Sequence, residues 1–174
     1  MDLSILDQYE NKEAFTEEVK KTTFDTEMQC HGCGQVLVHS FLKTLKIDNP
    51  ELLMASSPFF GGMALTGNTC GALLAGLMVL GLVYGRQDVS EGVPGLIKGV
   101  KPLRKFIQFF AERHPTINCK DITGTDLADP QKAEAYFAAG GLARCAGILS
   151  DVAGYVGDRI YENHQAQKAV KAEK

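Results

Sequence analysis

The longest apolar stretch of the chain lies at its centre. From Gly71 to Tyr84 the residues Leu73, Leu74, Leu77, Met78, Val79, Leu80, Leu82 and Val83 leave no polar face. A helix that is apolar all round is either buried among other helices or lies in a membrane. Ala72 and Gly76 are four apart, so they share one face and invite close approach of another backbone. The polar turn Asn68-Thr69-Cys70 precedes the run and sets Cys70 at the helix start. Free N–H groups and the positive dipole end there both favour a thiolate.

The other segments read as helices packed around this one. Asn11 to Lys21 predicts a charged surface helix anchored by Phe15 and Val19, and Phe24 to Gln29 breaks its pattern. Cys30-His31-Gly32-Cys33 leads into a periodic run with Val36, Leu37, Ser40, Phe41 and Leu45 on one face. Asn49-Pro50 suits a cap and first turn of a short helix through Met54, and Ser57 to Gly62 reads as a loop. Arg86 to Val100 reads as a polar, Gly-rich connection. Pro102 then starts a helix with Leu103, Phe106, Ile107 and Phe110 inward, which Pro115 stops. Asp129-Pro130 opens the last helical region, with a break near Gly140-Gly141 and an inward stripe of Phe137, Gly141, Cys145, Ile148, Leu149, Val152 and Val156. Arg144, Asp151 and Asp158 line its opposite face, and the Lys-rich tail beyond Gln165 is expected to fray. No strand pattern competes, so the fold class is all-α: a compact helical bundle around a buried Gly/Ala-rich central helix, in one domain over residues 1–174.

Composition narrows the function. A net charge of -3 argues against nucleic-acid binding, which needs a basic surface. The uninterrupted apolar run is shorter than the ~18 residues of a membrane span, so no membrane span is expected. The first residues are acidic and polar and resemble no signal peptide, so a cytoplasmic location is expected. In a reducing compartment five cysteines are more readily ligands or redox groups than disulfides.

Cys30 and Cys33 form a C-x-x-C, a spacing that suits redox dithiols, zinc and iron–sulfur sites alike. Cys70, Cys119 and Cys145 stand alone, and buried thiols acting as small hydrophobes are the alternative for each. His31 is a candidate ligand or a donor to one; His39 and His164 read as surface residues. Arg113 and His114 suit a helix C-terminus and could bring positive charge near Cys119.

Taken together, Cys33-Gly34-Gln35-Val36-Leu37, Phe60-Gly61-Gly62-Met63, Cys70-Gly71-Ala72-Leu73-Leu74-Ala75-Gly76, Cys119 and Cys145 resemble the redox-active family named for its pattern, C_GCAxxG_C_C. Its CGAxxG motif is matched by Cys70, Gly71, Ala72 and Gly76. The resemblance covers roughly Gln29 to Asp158. It implies a redox core over residues 30–158, flanked by an N-terminal helical extension (1–24) and a tail (166–174). It also implies four family cysteines, Cys33, Cys70, Cys119 and Cys145, and kinship with the iron–sulfur domain of split-Soret cytochromes. No haem-attachment motif is present, because Gly34 stands where C-x-x-C-H needs its histidine, and Cys30 is added to the pattern.

The leading expectation is therefore an electron-transfer protein. Its iron–sulfur cluster would be held by Cys33, Cys70, Cys119 and Cys145, with Cys30 as an extra ligand or a rim thiol. Backbone N–H groups of Gly71 and Ala72 would face the cluster sulfurs. Two alternatives stay open: thiol–disulfide exchange through Cys30/Cys33 or Cys70, and a structural zinc site in a non-catalytic protein. A redox partner protein is expected, and a homodimer, because the apolar centre and the Phe59-Phe60 pair exceed what a small bundle hides.

Overall fold

The computed structural model describes residues 2–172 and contains eight α-helices. These are α1 (Lys12–Cys30), α2 (Cys33–Thr44), α3 (Pro50–Ala55), α4 (Gly71–Tyr84), α5 (Gly92–Arg113), α6 (Cys119–Thr123), α7 (Pro130–Ala138) and α8 (Gly141–Ala172). Among the described residues there is no strand, only an isolated bridge between Thr69 and Asn118.

Helices α1 and α8 form the longest packing surface and run antiparallel. Their register is pinned along its length. Lys12 Nζ meets Glu162 at 3.2 Å, Thr16 Oγ1 donates to Asp158 at 2.8 Å, and Ser150 Oγ donates to the Lys20 carbonyl at 3.4 Å. Continued, that register sets the C-terminal end of α1 beside the first turns of α8. Helix α4 lies at the centre against α2, α5 and α8, with Ala72, Leu73, Ala75, Val79 and Leu80 buried. Its uniform apolarity is thus the signature of a core helix. Among the described residues no single helix is long and apolar enough to cross a membrane.

Several boundaries differ from the sequence expectation. Helix α1 does not break at Phe24 but continues to Cys30, because Thr23 and Glu27 are buried against its neighbours. Helix α5 starts at Gly92, inside the stretch read as a connection, and Pro102 sits within it rather than at its head. An Asp88–Glu91 capping box organises the 3₁₀ turn that leads into it. Ile107 and Phe137, expected inward, are exposed. The close neighbours of Gly76 are the Phe106 ring and Val152, not another backbone; backbone approach occurs instead at Gly71, against the Phe59 carbonyl. The tail expected to fray continues α8 to Ala172, held by Asp7, which takes His164 and Lys168 at 2.8 Å each; residues 173–174 lie outside the described residues. His164 is therefore not a free surface residue.

Candidate cysteine site

Four elements bring four thiols toward one place. Cys33 opens α2 after Gly32, whose φ of 112° is left-handed and free of strain only for glycine. Cys70 is the N-cap of α4. Cys119 opens the one-turn helix α6. Cys145 lies in the second turn of α8. The link between Cys70 and Cys119 is direct: Cys70 N–H donates to the Ile117 carbonyl at 2.7 Å and Cys119 N–H to the Asn68 carbonyl at 2.6 Å.

Small residues clear the space. A Cβ on Gly71 would stand 2.5 Å from Cys33 Sγ, and one on Gly62 would stand 2.6 Å from Cys119 Cβ. Gly62 belongs to a left-handed run, Gly61 to Leu65, with φ of 58°, 71°, 63°, 53° and 65°. Three of these residues, Met63, Ala64 and Leu65, are not glycine, and each costs about 1–2 kcal/mol in that region. The run is held by Gly67 and Asn68 N–H groups donating to the Gly61 and Gly62 carbonyls, both at 3.1 Å. Backbone strain thus collects in the loop that lies over the thiols.

The electrostatics follow from burial. Desolvation pushes the Cys33, Cys70 and Cys119 thiols up to about 12. Each of these thiols also lies near enough to another of the four cysteines for the partner's charge to raise it further. Cys145 is raised by burial as well. The expectation that the α4 N-terminus favours a thiolate at Cys70 fails. Ala72 and Leu73 N–H groups do lower the Cys70 pKa, but the loss of water outweighs them. Gly61 N–H acts in the same way on Cys33. Gly71, beside Ala72, leaves room for Cys33 Sγ. His114 brings no charge to Cys119: burial lowers its pKa, and its ring packs on Phe110.

Cys30 stands apart. It is exposed at the end of α1 and lines a surface cavity of about 320 Å³ with His31 and His39. His31 Nδ1 lies 3.0 Å from the Glu27 carbonyl and its ring stacks on Phe137.

Two residues of the site were not found from sequence. Tyr136 Oη lies 3.5 Å from Cys145 Sγ, and Gly141 makes room for the Tyr136 ring. Glu27 is only 4 % exposed, its Oε2 has no hydrogen-bond partner, and its charge reaches both Cys33 and Cys145. Desolvation raises its pKa from 4.5 to about 7, against one opposing N–H from Gly32. A charged residue inside a segment read as a helix break gave no sign of this.

Fold and cysteines together define an all-α protein with four buried or half-buried cysteines placed by four different helices. The family description "Putative redox-active protein (C_GCAxxG_C_C)" matches residues 31–158, and the chain belongs to that family. The matched stretch holds Cys33, Cys70, Cys119 and Cys145; Cys30 and Glu27 lie just outside it. No curated protein and no solved structure matches the chain significantly.

Proposed function

We propose that this redox-active protein carries electrons on an iron–sulfur cluster held by Cys33, Cys70, Cys119 and Cys145. The observation that supports it is four thiols on four elements, two buried and two half-buried, close enough for their charges to act on one another, with Gly61, Ala72 and Leu73 N–H groups near two of the sulfurs. Thiol number and type fit such a group, and N–H donors to sulfur tune its potential. Among the described residues no group of three or more His, Cys, Asp or Glu side chains stands close enough together to hold a metal ion. When bound, the cluster supplies one-electron chemistry. The chain's own part is to exclude water, since Cys70 and Cys119 are buried, and to place the donors from a rigid core. Burial that keeps the thiols protonated would be offset by the positive irons that replace the protons.

Thiol–disulfide exchange is the second reading, and the exposure of Cys30 three residues before Cys33 favours it. Thiols raised to about 12 are poor nucleophiles at neutral pH, which weighs against Cys33, Cys70 and Cys119 in that role. Anaerobic purification followed by metal, sulfide and thiol analysis separates the readings. Visible absorption with iron and sulfide, lost in Cys70→Ser and retained in Cys30→Ser, is expected. A colourless, metal-free protein whose activity needs Cys30 as much as Cys33 would establish exchange instead, and stoichiometric zinc would establish a structural site.

A further inference from the structure

Helix α5 leaves one side uncovered. Gly95, Gly99, Phe106 and Phe110 turn inward, and Gly99 packs against the Tyr84 carbonyl. On the other side Val93, Leu96, Ile97, Val100 and Ile107 are 65 %, 50 %, 64 %, 41 % and 39 % exposed. Their spacing lays them along a single stripe. Lys101 and Lys105 flank the stripe, and Arg104 sits on it between Val100 and Ile107. The helix carries Lys98, Lys101, Arg104, Lys105 and Arg113 against one acid, Glu112, although acids outnumber Lys and Arg over the whole chain, 21 to 18. Among the described residues Lys101, Arg104 and Lys105 make no ion pair, and only Lys98 does, with Glu91 at 3.7 Å. A groove of about 710 Å³ is lined by stripe residues together with Lys101, Arg104 and Lys105.

Charge selects the occupant. A second copy docked through the same stripe would bring two rows of unpaired cations together, and like charges across an interface select against a partner. The adjacent pair Leu96-Ile97 also widens the stripe beyond the two positions per heptad of a helix–helix seam. A broad aliphatic face with a cationic flank suits a helix lying in the plane of an anionic lipid surface. The aliphatic side chains enter the acyl boundary and the cations meet lipid phosphates. We propose that α5 docks this protein on an anionic phospholipid surface, without spanning it. The proposal does not depend on whether the cysteines hold a cluster.

The test is co-sedimentation of the full chain with phosphatidylcholine vesicles containing one-third phosphatidylglycerol, and with pure phosphatidylcholine. Binding to the anionic vesicles, weaker by about tenfold or more on neutral ones and in high salt, is expected. Arg104→Glu/Lys105→Glu should weaken binding by about tenfold or more. Ile97→Ser/Val100→Ser should weaken it similarly although every cation remains. Circular dichroism checks that each variant keeps its helices. Failure to pellet with anionic vesicles, or equal binding to both lipids, overturns the proposal. So does parental binding by either variant. It also falls if light scattering finds a dimer that Ile97→Ser/Val100→Ser converts to monomer, since a second copy would then cover the face.

Discussion

Glu27→Gln is the substitution whose effect the structure defines most sharply. The carboxyl lies inside the bundle with Oε2 unpartnered, and its pKa stands at about 7 instead of 4.5. Well below pH 4.5 it is protonated in both folded and unfolded chains, and its ionisation costs nothing. As pH rises past 4.5 the unfolded chain ionises while the native state keeps its proton, so stability falls. The fall ends above about 7, where the native carboxyl ionises too. A displacement of that size corresponds to on the order of 3 kcal/mol, most of it lost between pH 5 and 8. The neutral amide can still accept the Gly32 N–H, and it removes the ionisation.

The assay is urea unfolding of the metal-free, reduced protein at pH 5 and pH 8. The parent should lose about 2–3 kcal/mol more than the variant across that interval. The difference between the two proteins is the readout, because His114, lowered by burial, contributes in the opposite direction over part of the same range. The surface carboxylates with lowered pKa, such as Asp7 and Asp126, act below their unfolded value of 3.8 and stay out of the window. Parallel pH profiles for parent and variant would refute the reasoning, since they would mean that Glu27 reaches water.

Ala64→Gly should stabilise the protein by about 1 kcal/mol in urea, because an exposed alanine at φ 53° gives way to the one residue that suits it. Gly71→Ala should destabilise by about 1–3 kcal/mol, since the added methyl meets Cys33 Sγ and the Phe59 carbonyl; the thermal midpoint reads this, and thiol accessibility should rise with it. Asp129→Ala should cost about 1 kcal/mol, because its carboxylate accepts the Gln131 and Lys132 N–H groups at the start of α7.

Sequence alone determined the helical class, the central position of α4, the caps at Asn49 and Asp129, and the Gly140-Gly141 break. Each is a local matter of periodicity, side-chain hydrogen bonding or glycine freedom. It also marked the family's cysteines, because their spacing and the CGAxxG motif are linear features. Only the tertiary structure decided what surrounds them. The continuation of α1 past Phe24 depends on its packing against α2 and α8, and that packing carries Glu27 to within reach of Cys33 and Cys145. The protonated state of Cys70 was decided the same way, because desolvation is a property of the assembled core while a helix N-terminus is visible in the sequence. The uncovered side of α5 has the same origin. The chain shows which residues are apolar, but only the packing shows that Phe106 and Phe110 are taken inward while Ile97 and Val100 are left outside.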